Sequence, residues 1–277
     1  MARGVTIAAG EVNTDRDSAR PLASARLPFD APWIALLALP CALVLGGLLQ
    51  ATAFGRLLVY PVQMQFHELG HALAAWLSSR AALPLPFGFT LWREERSLFT
   101  GGCLVFLIAV LAHRSLRERR WFGVALALLL AVGFARLSLG TDADRSRMVV
   151  IAAGIAGELL LSCLVLIAFY FPLPDRLRWD FFRFVALVPA ATGWLGTAAL
   201  WHAIRRGERP LPMGSILGAT GDGSGDLERL IAEYGFTPAS ITSLYVRLAQ
   251  GTFVLLALVY GAFALRALRR LGLLRGR

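Results

Sequence analysis

Apolar positions in this chain do not recur at the spacing of a soluble core. They run together in blocks, at about 32–54, 57–79, 99–112, 121–139, 148–171, 181–204 and 241–265. A helix needs roughly 20 apolar residues to cross a bilayer core. Most of the blocks meet that length, and 99–112 meets it only if its flanks contribute. Arg56 separates the first two blocks, and a polar stretch, residues 1–31, precedes them. The longest polar interval beyond that tail is 205–240. Within it, Asp226 to Tyr234 reads as a short amphipathic helix stopped by Gly235. Thr237-Pro238 supplies a cap and a first-turn proline for the last block. Residues 80–99 break the pattern, because Pro84, Pro86 and Gly88 make a poor helix. They form either an extended, re-entrant segment that lines a cavity or a plain interfacial loop. No internal repeat is present. The expected fold is an all-α integral membrane protein, a polytopic bundle of six or seven transmembrane helices. One domain spans 32–265, between the polar tail and a basic C-terminal tail at 266–277.

Composition agrees with the blocks. Of 277 residues, 57% are hydrophobic and only 17% charged, too apolar for an ordinary soluble domain. The net charge is +10, and all 28 basic residues are arginine. The arginines flank apolar blocks and do not gather on a polar domain, so the expected partner is the lipid bilayer and not nucleic acid. Arg114, Arg117, Arg119 and Arg120 form one cluster, and Arg266, Arg269, Arg270, Arg275 and Arg277 another. An even number of spans separates the two clusters, which puts both on the cytoplasmic side and the 205–240 interval outside. No cleavable signal pattern is expected, since a charged stretch precedes the first block. The expected location is a bacterial inner (cell) membrane, crossed several times. Cys41, Cys103 and Cys163 fall inside apolar blocks and read as buried small hydrophobes.

The chemistry gathers at Phe66-His67-Glu68-Leu69-Gly70-His71-Ala72. Histidines four residues apart project from one helix face, one turn above the other. Two neutral imidazoles so placed bind Zn²⁺, and the adjacent Glu68 serves as general base. A pair of packing histidines is the plainer alternative. Ionisable residues at lipid depth point instead to function, and the chain has only four histidines. A catalytic zinc needs a third protein ligand. His67 and His71 lie roughly 15–20 Å into their block at ~1.5 Å per residue. Glu158 lies at the same depth in its own block, beside the small residues Ala153, Gly154 and Gly157. On depth, Glu158 is the expected third metal ligand. Its alternative role is to pair with Arg136 or His202. The alternative ligands are Asp222 and Asp226 in the glycine-rich 221–226 loop.

These residues resemble the site-2 protease family of intramembrane zinc metalloproteases. The likeness is close at His67, Glu68, Gly70 and His71 and is one of architecture elsewhere. Gly154-Ile155-Ala156-Gly157-Glu158 stands where the family carries Gly-Pro-x-x-Asn, with Ile155 and Glu158 departing from it. The family's third ligand is an aspartate in a Leu-Asp-Gly element. The Asp222-Gly223 pair here follows Gly221 in the polar interval, so the likeness is to a divergent member. The resemblance implies hydrolysis of peptide bonds in membrane-embedded or membrane-proximal substrates, with zinc-bound water activated by Glu68. Gln63 and Gln65 are expected to line a watered cavity, and residues 84–90 to offer an edge strand to an unwound substrate. The competing expectation is an inactive membrane protein of the same fold that binds metal or a partner helix. A transporter reading lacks the paired broken helices or repeats it would need.

Overall fold

The computed structural model describes residues 31–85, 88–174, 181–214 and 225–273. The N-terminal tail up to residue 30, Asp222, and Arg275 with Arg277 lie outside the described residues. Helix α1 (Pro32–Ala51) opens with a proline in its first turn and leads through Thr52 directly into α2 (Ala53–Leu77). The Thr52 side chain caps α2 by accepting from the Gly55 amide. A Cβ at Gly55 would strike the Leu49 carbonyl, so this tight reversal needs glycine there. Strands β1 (Arg80–Leu85) and β2 (Phe89–Arg96) follow. Next come α3 (Leu98–Arg117) and α4 (Trp121–Phe134), which a π-helical turn, Ala135–Leu139, extends. The remaining helices are α5 (Ala143–Ala168), α6 (Phe182–Arg205), α7 (Asp226–Tyr234) and α8 (Pro238–Arg270).

Among the described residues, six helices are long and apolar enough to cross a membrane: α1, α3, α4 with its π turn, α5, α6 and α8. They fit a multi-pass membrane protein built mainly of helices. The block 99–112 becomes a full-length helix because its flanks join it. Helix α2 is not among the six, since Arg56, Gln63, Gln65, His67, Glu68 and His71 interrupt its apolar surface. The local signals around α7 hold. Gly235 ends it with a left-handed φ of 67°, and Thr237 and Pro238 start α8 as cap and first-turn residue.

Residues 80–85 and 89–96 take the extended alternative, as antiparallel strands pairing Ala82 with Trp92, Leu83 with Leu91 and Pro84 with Thr90. The fold is therefore a helical bundle with one small sheet, not strictly all-α. Cys41 and Cys103 are exposed on the bundle exterior, and only Cys163 is buried. All three are free.

Helix α5 occupies the centre, packed on α2, α6, α7 and α8. Its approach to α2 is very close. A Cβ on Gly157 would lie 2.6 Å from the Phe66 carbonyl oxygen, and one on Gly70 would lie 2.8 Å from the Gly157 Cα. Small residues are what let two helices meet backbone to backbone. The α3–α4 pair sits at the periphery, with Leu98, Phe99, Leu128 and Leu129 directed outward. At one end of the bundle Phe122 stacks on Phe171, and Phe171 meets Phe263, so the α3–α4 turn lies with the end of α8. At the other end Trp201 packs on Tyr245 beside α7 and the hairpin base. Single cysteines introduced at Glu208 and at Arg270, in a cysteine-free background, should therefore label from opposite sides of a sealed vesicle. Labelling of both from one side would refute this arrangement.

Candidate metal centre

His67 and His71 stand one turn apart on α2, ring centroids 4.8 Å from each other. Both imidazoles lean into the space left at Gly154 on α5. A Cβ there would collide with the Nε2 atoms of both rings. The other ring nitrogens are engaged. His71 Nδ1 lies 2.7 Å from the Val150 carbonyl, which can only accept, so His71 donates through Nδ1. His67 Nδ1 lies 2.8 Å from Glu158 Oε1. Glu158 also takes hydrogen bonds on Oε2 from Gln63 Nε2, at 2.8 Å, and from the Thr197 hydroxyl. With Oε2 taking both of those donors, Oε1 is the oxygen that faces His67 Nδ1. Both Nε2 atoms are thereby turned into the same space, where each can carry a proton or offer a lone pair.

Into that space comes Asp226, the first residue of α7. Its Oδ2 lies 3.1 Å from His67 Nε2 and 3.0 Å from His71 Nε2. Burial pushes the Asp226 carboxyl up, but His71 and His67 outweigh it by charge and hydrogen bonding and hold it below the usual carboxylate range. Protonated, the two Nε2 atoms donate to Asp226 Oδ2; without those protons, three lone-pair atoms converge on one point. His67, His71 and Asp226 form a group that can hold a metal ion.

The depth criterion puts Glu158 beside His67, where it faces Nδ1, the far side of the ring; the carboxylate that meets both Nε2 atoms is that of Asp226. The physical reason is that α7 packs back onto the bundle, which hydropathy cannot register. Nor does Glu158 pair with Arg136 or His202. His202 Nδ1 instead bonds the Ala198 carbonyl of its own helix, at 2.9 Å. Thr197 carries no signal in the sequence beyond being a hydroxyl inside an apolar block.

Glu68 is buried and is not one of the converging ligand atoms. Thr90 of β2 holds it, with the hydroxyl 2.7 Å from Glu68 Oε2 and 3.0 Å from the Glu68 carbonyl oxygen. Strand alternation turns Thr90 and Trp92 inward and Phe89 and Leu91 outward. The site opens on a cavity of about 580 Å³ between α2, the hairpin, α5, α6 and α7. Gln63 lines it along the stripe Tyr60, Met64, His67, Glu68 and His71; Gln65, on another face of α2, does not.

In purified protein, Asp226→Asn should weaken metal binding more than Glu158→Gln does. Loss of an outer carboxylate partner to a ligating histidine lowers affinity by about 10–100-fold, and loss of a charged ligand by more. Competition with a chelator of known affinity measures both. Metal retained by the Asp226 variant and lost only from Glu158→Gln would restore Glu158 as the ligand.

Set against models of known protein families, curated proteins and solved structures, the chain matches none of them.

Proposed function

We propose that the protein is an intramembrane zinc metallopeptidase, hydrolysing peptide bonds of membrane-embedded or membrane-proximal substrates. The supporting observation is the convergence of His67 Nε2, His71 Nε2 and Asp226 Oδ2 beside a glutamate that holds no metal. Two imidazoles and a carboxylate are a donor set zinc takes in catalytic sites, with a fourth position open. Bonds of 2.0–2.2 Å in a tetrahedron put ligand atoms about 3.3–3.5 Å apart. The observed separations of 3.0 and 3.1 Å are within a few tenths of that. When bound, the ion supplies a Lewis acid for the scissile carbonyl and lowers the pKa of water at the site towards ~7.

The chain's own residues carry the rest. Glu158 and the Val150 carbonyl fix both rings with Nε2 towards the cavity. Glu68 takes the proton from the attacking water and passes it to the leaving amine. Thr90 holds Oε2 of that base and leaves Oε1 to work. Met64, Ile151, Ile155 and Leu200 offer apolar surface to a membrane-derived segment. The two-stranded hairpin leaves a strand edge without a strand partner, which suits a substrate unwound into extended form.

Glu68→Gln should keep the metal and lose hydrolysis of labelled single-span substrates in vesicles by about 10²–10⁴-fold, the usual contribution of a positioned general base. His67→Ala should lose both metal and hydrolysis. If Glu68→Gln cleaves as well as the unaltered protein, the peptidase proposal fails and a metal-binding membrane protein remains.

A further inference from the structure

The three ligands differ in how they are held. His67 and His71 belong to a 25-residue helix pressed on α5 through Gly70, Gly154 and Gly157. Asp226 belongs to α7, nine residues long and outside all six apolar spans. So short a helix is not stable by itself in water, so its structure depends on its seat. That seat is an apolar stripe. Leu227 and Leu230 are buried, and Ile231 and Tyr234 pack beside them, against Ile151 and Ile155 of α5, Trp201 of α6 and Tyr245 of α8. At the far end of α7 an ion-pair bridge closes the contact. Arg147 Nη2 of α5 lies 3.5 Å from Glu233 Oε2 and 3.3 Å from Glu94 Oε1 of the hairpin.

We propose that α7 is a docking helix that delivers the third ligand, with Leu230 and Arg147 as positioning residues for Asp226, so that metal binding and α7 docking reinforce each other. The inference rests on the metal centre and is independent of whether a peptide is cleaved. Geometry makes the coupling steep. Asp226 sits at the end of α7 opposite the Gly235 link to α8, about 13 Å away at 1.5 Å per residue, so a swing of ~15° carries it ~3 Å from the histidines. That exceeds any metal–oxygen bond. Two ligands stay on the bundle and the third leaves with α7. By linkage, whatever loosens the seat lowers metal affinity, and the metal in turn fastens α7 over the cavity. Asp226, Leu227 and Arg229 of α7 all line that cavity, so the docked helix also forms part of its wall.

The test uses the full chain in lipid nanodiscs with zinc as the probe. Adding zinc should slow amide hydrogen exchange across 226–234 and leave α5 unchanged. Leu230→Ala should lower zinc affinity about 5–150-fold, the usual range of coupling between linked sites, although Leu230 supplies no ligand atom. Arg147→Gln, which leaves the apolar seat intact, should shift affinity the same way by less. Leu230→Ala may be read only if its α2 and α5 amides keep their protection; otherwise Arg147→Gln decides. Zinc binding that needs His67 and His71, together with zinc-independent exchange in α7 and unaltered affinity in the deciding variant, would overturn this inference and leave the metal centre standing. No zinc binding by the unaltered protein would overturn both.

Discussion

The cavity depends on how closely α2 lies against α5. Gly70 and Gly157 face each other across the contact, and no side chain of any size fits between them. That approach brings the Val150 carbonyl within reach of His71, and Glu158 within reach of His67. Gly154 opens the place the two imidazoles occupy. Enlarging any of the three glycines would act on the ring nitrogens as directly as replacing a histidine, because ring orientation is set by backbone proximity.

Polar groups this deep in an apolar bundle are tolerable only when paired, since an unsatisfied one costs a few kcal/mol. Several of them are paired with side chains drawn from distant segments. Gln63 and Thr197 converge on Glu158. Arg80 is buried, and it donates to the Glu94 and Ala143 carbonyls and to Ser146. Arg96, opposite it in the register, gathers carbonyls where the π turn gives way to α5. Two arginines thus rivet the hairpin base to the α4–α5 turn, while Thr90 nearer the tip reaches Glu68. The cavity has one wall fastened by arginines and another seated by leucines.

Hydropathy and local caps determined much of the protein from sequence alone. Block lengths marked the six apolar helices, because crossing a membrane demands a length that composition records directly. Gly235 and Thr237-Pro238 marked the ends of α7 and α8, because caps are made within a few residues. The spacing of His67 and His71 put two imidazoles on one face, because helical periodicity is local as well. Tertiary structure decided everything that needed a second segment. It paired 80–85 with 89–96, since strand pairing is a contact and not a property of either strand. It turned Glu158 to Nδ1 and not Nε2, a distinction that equal depth cannot make. It brought Asp226 out of a polar interval into the site, because the path of a loop is set by where its short helix can bury Leu227 and Leu230, and that seat exists only once α5, α6 and α8 have packed.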